Sequence, residues 1–106
     1  MPDFVTIGNV DELNPGGEPI VVEINNKWIG VFNVGGEIYA IEDVCTHDGG
    51  PLAEGKLEGW VIECPRHGAT FDVRTGEALS APAYEDVSAY EVKVVDNEIK
   101  IGPRKT

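Results

Sequence analysis

Cysteine and histidine each occur only twice in the 106 residues, as Cys45 and Cys64 and as His47 and His67. Cations are also scarce, 8 Lys and Arg against 19 Asp and Glu, which leaves a net charge of −11. The few basic residues, among them Lys56, Lys93, Lys100, Arg104 and Lys105, are too scattered to form an extended patch. Nucleic acid is therefore excluded as a partner, because phosphate binding needs clustered Lys and Arg, and an anionic membrane surface is disfavoured for the same reason. No apolar run approaches the length needed to span a bilayer. The start, Met1-Pro2-Asp3-Phe4, lacks the basic and apolar stretches of a secretory signal, so the expectation is a cytoplasmic protein with no membrane contact. Neither a GxGxxG nor a P-loop pattern occurs, so no nucleotide cofactor is implied. Nothing marks a strong self-association surface, and a monomer is expected.

What is present has the period of strands. Candidates are Phe4–Ile7, Ile20–Ile24, Lys27–Phe32 and Glu37–Ile41, with Asp11-Glu12-Leu13 as a short turn or helical loop. Trp60–Glu63, Thr70–Val73, Tyr90–Val95 and Glu98–Ile101 complete the set. Asn25-Asn26, Gly35-Gly36, Thr75-Gly76 and Asp96-Asn97 read as tight turns between them. No segment carries a sustained helical stripe, so the class is all-β, a small antiparallel β-sandwich or barrel formed by the two ends of one domain, residues 1–106. From about 43 to 82, Gly and Pro become frequent and apolar runs shorten, as in a loop-rich inserted subdomain. Trp28 and Trp60 fall in strand patterns and are expected in the core.

Both Cys–His pairs lie in that insert: Cys45-Thr46-His47, sixteen intervening residues, then Cys64-Pro65-Arg66-His67. A lone Cys or His is usually an ordinary packing residue, but here the whole stock of both types falls within 23 positions. A Cys45–Cys64 disulfide is one alternative, disfavoured in a cytoplasmic context and silent about the histidines. Tetrahedral zinc would accept two thiolates and two imidazoles and would make the chain a zinc-stabilised interaction module. Common zinc modules, however, pair Cys with Cys and His with His. A two-iron cluster explains the mixed pairs if each loop sends its Cys to one iron and its His to the other. Asp48-Gly49-Gly50-Pro51 and Gly68 would let the backbone turn sharply and bring amide N–H groups near the sulfurs, although such glycines also occur in any β protein.

Cys45-Thr46-His47 with Gly50-Pro51-Leu52, followed by Cys64-Pro65-Arg66-His67-Gly68, Thr70-Phe71-Asp72 and Thr75-Gly76, resembles the Rieske [2Fe–2S] family. The resemblance implies a Rieske-like fold and one [2Fe–2S] cluster. Cys45 and Cys64 would hold the inner iron, His47 and His67 the outer iron near the surface, and Leu52 and Pro82 would help cover the cluster. A ring-hydroxylating oxygenase would need a further mononuclear iron, usually held by two histidines and a carboxylate, and both histidines here are already committed. The chain is then expected to be no enzyme by itself but a freestanding ferredoxin, a one-electron carrier from a flavin-containing reductase to a terminal oxygenase. The small subunit of a nitrite-reductase-like complex is the second reading. The acidic balance would steer the carrier toward a basic docking patch, or serve solubility alone.

Respiratory-type Rieske proteins add a disulfide between the ligand loops, and Gly50 and Arg66 stand in those places here. They also carry hydroxyl groups after the second His, where this chain has Ala69 and Phe71. Fewer hydrogen bonds to the cluster leave its reduced state less stabilised. The midpoint potential is therefore predicted at the low end of the Rieske range, on the order of −150 mV. A spectroelectrochemical titration checks this, and a midpoint well above zero would contradict it.

Overall fold

The computed structural model of the chain describes residues 4–15, 18–44, 52–65, 68–81 and 85–105. Among the described residues, nine strands form two antiparallel sheets. The larger sheet contains β1 (Val5–Asn9), β2 (Ile20–Ile24), β3 (Lys27–Val34), β4 (Glu37–Glu42), β8 (Ala89–Val95) and β9 (Glu98–Arg104). Their order is β1-β9-β8-β4-β3-β2, and the sheet curls into a nearly closed barrel. The smaller sheet has the order β5-β6-β7, from Lys56–Glu58, Val61–Glu63 and Thr70–Asp72.

The hairpins follow from their turn residues. Asn25-Asn26 and Asp96-Asn97 both hold φ near +52° and +67°, the two-residue turn whose twist matches that of paired strands. Asn and Asp tolerate this left-handed region better than other side chains. These turns set the β2–β3 register at Ile24↔Lys27 and the β8–β9 register at Val95↔Glu98. The expected helical loop is a 3-10 turn over Val10–Glu12, preceded by an N–H of Asn9 that donates to Glu12 Oε1 at 2.8 Å.

Alternation along the strands creates two cores on opposite faces of the large sheet. Ile29, Val31, Ala40, Ile99 and Ile101 fill the barrel with Leu13 and Tyr90. On the other face, Phe32, Ile41 and Ala89 pack against Leu52, Ile62, Cys64, Ala69 and Phe71 of the smaller sheet and its loops. Asn33 and Asp72 are the only buried polar residues among those described, and both are bonded. Asn33 donates from Nδ2 to the Leu13 carbonyl at 2.7 Å and accepts the Gly36 N–H at 2.8 Å, tying the 3-10 turn to the β3–β4 hairpin.

The all-β expectation is met, with specific corrections. Strand β5 was not anticipated, because Lys56-Leu57-Glu58 offers a single apolar residue. Strands β6 and β7 are one residue shorter than expected at Trp60 and at Val73. The two tryptophans are not core residues: Trp28 is 55% exposed and Trp60 47%. Trp28 lies on the face of β3 shared with Gly30 and Phe32, but the small sheet covers that face only farther along the strand. Trp60 sits in the β5–β6 turn, with the Arg74 guanidinium 4.1 Å from its ring centroid.

Phe71, fully buried where the sheets meet, is predicted to cost about 3–5 kcal/mol on substitution by Ala. Trp28→Ala should stay within about 0.5 kcal/mol of the parent. Urea denaturation of both variants decides this, and a large loss for Trp28→Ala would return that side chain to the core.

Candidate metal centre

Of the four ligand candidates, only Cys64 falls among the described residues. Cys45, His47 and His67 lie outside them, as do Gly50, Arg66 and Pro82. Among the described residues no group of three or more His, Cys, Asp and Glu converges as a metal site.

Cys64 directly follows β6, where the small sheet closes. The β6–β7 pairing runs Val61↔Asp72, Ile62↔Phe71 and Glu63↔Thr70. It continues one step further, as the Cys64 N–H donates to the Ala69 carbonyl at 2.6 Å and the Gly68 N–H to the Cys64 carbonyl at 3.1 Å. Gly68 takes φ +76°, the sharp turn that was expected of it. Its N–H, however, is spent on the Cys64 carbonyl, so that amide is already engaged and is not free for a sulfur. The Cys64 side chain is a free thiol, 1% exposed, inside the cluster that includes Leu52, Ile62, Ala69 and Phe71. A buried, unbridged sulfur at the end of a closed backbone turn fits a metal ligand, since a bound metal would supply the countercharge that apolar surroundings deny a thiolate. Donors of two thiolates and two imidazoles suit iron with sulfur as well as zinc.

The flanks of the first Cys–His pair reach the same cluster. Val44, on one side, packs against it, and Leu52, on the other, is fully buried within it. Asp43 ties the two flanks together, its Oδ1 accepting the Ala53 N–H at 2.6 Å. The Asp43 N–H itself donates to the Trp28 carbonyl at 2.8 Å, so this latch is anchored on β3. Beyond it, Gly55 lies so close to the Glu63 carbonyl that a Cβ there would collide with backbone. The exit of one pair is thereby pressed against the strand leading into the other. Sequence reading missed Asp43 and Gly55 as framing residues, since a single carboxylate and a single glycine carry no spacing signal.

At the far end of the same hairpin, Asp72 is 5% exposed and grips Arg74. Its Oδ1 accepts the Arg74 backbone N–H at 2.8 Å and Nε–H at 3.1 Å, and its Oδ2 accepts from Nη2 at 2.8 Å. The Arg74 side-chain hydrogen bonds hold the Asp72 carboxyl below its ordinary value of 3.8, outweighing the upward push of burial. The same contact fixes the guanidinium over Trp60.

Comparison with known proteins places this geometry. The family model described as the Rieske [2Fe-2S] domain matches residues 3–91. The ferredoxin component of the naphthalene 1,2-dioxygenase/salicylate 5-hydroxylase systems of a Ralstonia species is 41% identical over 99 residues, which is 93% of this chain and 94% of that protein. The solved ferredoxin of carbazole 1,9a-dioxygenase from Nocardioides aromaticivorans IC177 superposes with a TM-score of 0.89 at 34% identity, covering 94% of this chain and 97% of its own. A chain of the solved complex of reduced oxygenase and oxidized ferredoxin in carbazole 1,9a-dioxygenase gives 0.90 at 34% identity, over 97% and 96%.

A depressed carboxyl pKa adds stability that is complete above the unfolded value and lost as pH falls through the folded one. The destabilisation of Asp72→Asn relative to the parent should therefore be constant from about pH 8 to 5 and narrow only at more acidic pH. Urea midpoints measured along the pH series test this. A gap that changes between pH 8 and 5 would assign the effect to another group.

Proposed function

The chain belongs to the Rieske [2Fe–2S] family, as an electron-carrying ferredoxin and not a catalyst, and from that premise we propose that it passes single electrons from a flavin-containing reductase to a terminal oxygenase in the cytoplasm. The observation that carries this reading is the 41% identity to a dioxygenase ferredoxin component along almost the whole of both chains. The oxygenase as acceptor is supported by the solved complex in which the similar ferredoxin chain meets its oxygenase. The cytoplasmic placement rests on the sequence reading, and no helix among the described residues is long and apolar enough to cross a membrane.

Residues 1–106 are read as one Rieske domain, with a cluster-binding subdomain at about 43–82 inserted in a β base. Cys45 and Cys64 hold the inner iron, and His47 and His67 the outer iron, of one [2Fe–2S] cluster per chain. The burial of the Cys64 thiol supports its assignment to the inner iron. Once bound, the cluster supplies a one-electron couple whose potential is raised by neutral imidazoles in place of two thiolates. The chain's own residues do the positioning. The turn from Cys64 to Ala69 fixes one thiolate, and the Asp43–Ala53 latch fixes the flanks of the loop that carries the other. Apolar Leu52, Ala69 and Phe71 exclude water around Cys64, which favours the less charged state of the metal group. The imidazoles of His47 and His67 would be the route for the electron in and out.

Protein purified without air and reduced with dithionite should show a rhombic EPR signal with average g below the free-electron value and about two irons per chain. Cys64→Ala should abolish colour and signal together. Mixed with an aromatic-ring oxygenase and a flavin reductase, the parent should be reduced and reoxidised by one electron per chain. A colourless, EPR-silent protein with about one zinc per chain would overturn the carrier reading.

A further inference from the structure

Beside the small sheet, the large sheet leaves one strip of its outer face uncovered. There a groove of about 650 Å³ opens between the sheets, with Leu57 as its apolar wall over the buried Phe32 and Ile62, Val21 at its edge and Glu18 and Glu54 at its rim. Val21 is 41% exposed on β2, an outer strand that pairs only with β3 among the described strands. The strip extends past Gly30 to Trp28, which shares the face of Phe32, and Glu23 stands directly opposite Trp28 in the register. Three carboxylates thus border an apolar and aromatic track.

None of the described lining residues is basic. The nearest cations point elsewhere. Lys56 alternates away from Leu57 and pairs with Glu58 at 3.2 Å, while Lys27 lies on the opposite face of β3 from Trp28 and pairs with Glu42 at 3.8 Å. An apolar groove edged by unneutralised carboxylates on a chain of net charge −11 is complementary to one chemistry: long cationic side chains that lay their methylene stems on apolar surface and keep their charge at the rim. An exposed tryptophan beside a carboxylate extends that preference, because its ring face attracts ammonium and guanidinium groups.

We propose that this groove is a docking surface for a lysine- or arginine-bearing segment of a redox partner protein. The segment's apolar stems seat on Val21 and the half-buried Leu57, and its cations meet Glu18, Glu23 and Glu54. The inference rests on the electron-carrier reading only in calling the partner a redox protein. The EPR signal of the reduced chain tests that reading on its own, whatever the groove does.

The test uses the 15N-labelled holoprotein titrated with a twelve-residue peptide of alternating Lys and Leu, with a Lys–Ser peptide of equal charge as comparison. Amide shifts should concentrate on residues 18–24, 28–32 and 53–57, and the Lys–Leu peptide should bind at least tenfold more tightly than Lys–Ser. Glu18→Gln/Glu54→Gln should weaken binding about tenfold. Glu37→Gln/Glu91→Gln, which removes the same net charge on other strands, should change it less than twofold. Each variant keeps the EPR signal as proof of fold. Shifts spread over carboxylates of both sheets, or equal weakening by the two double variants, would show attraction to bulk charge and overturn the proposal. Concentration-dependent shifts of the same amides without peptide would assign the groove to a second copy of the chain and overturn it equally.

Discussion

The packing of the small sheet onto the outer face of the large one is the contact on which the rest of the molecule depends. Strands of three residues cannot sustain a sheet in isolation. Here Ile62, Phe71 and Leu52 are fully buried only because Phe32, Ile41 and Ala89 face them from β3, β4 and β8. Cys64 belongs to the same cluster, so the thiol is placed by the contact that stabilises its sheet. Deleting apolar volume from this layer would act on stability and on the position of Cys64 at once.

A carrier that gains and loses one electron benefits from ligands that stay in place, and the frame around this site is built from short, unstrained restraints. The Asp43 carboxylate closes the flanks of residues 45–51, Gly55 permits β6 to approach, and the Cys64–Ala69 bond extends the β6–β7 ladder up to Cys64. Each is a backbone contact or ends on one, so replacing surface side chains leaves the frame intact. The Asp72–Arg74 grip braces the other end of the same hairpin. The hairpin is therefore held at both ends, with fully buried Ile62 and Phe71 between them.

Much of this was legible before any coordinates. Alternating strands flanked by Asn25-Asn26 and Asp96-Asn97 announce hairpins, because the turn chemistry and the strand period agree there. The candidate ligand set comes from the sequence alone, because two rare residue types share one spacing and three of the four lie outside the described residues. Faces were not legible: period two says that Trp28 and Phe32 point the same way, but not where a second sheet stops covering that face. Strand β5 escaped because three residues with one apolar member carry almost no periodic signal, and only pairing with β6 makes them a strand. Asp43 escaped because its role is a contact to Ala53, ten residues on.

The acidic excess and the low expected potential are separate effects. Of the described cations, Lys27, Lys56, Arg74 and Lys100 each sit beside a carboxylate, at 3.8, 3.2, 2.8 and 3.7 Å. The local pairs cancel, and the surplus carboxylates set the field seen from a distance. At physiological salt that field decays over about 8 Å, and solvent-exposed charges farther apart than this are largely screened from one another. Such a field steers an approaching partner but weighs little on the buried Cys64, which packs with Leu52, Ala69 and Phe71. On the proposed ligand assignment the potential would be governed by what touches the sulfurs and ligands, and the chain has buried Ala69 and Phe71 where hydroxyl donors could have stood. Reversing surface charge would thus alter how fast partners meet the protein, whereas placing a hydroxyl at Ala69 or Phe71 would alter how readily it accepts the electron.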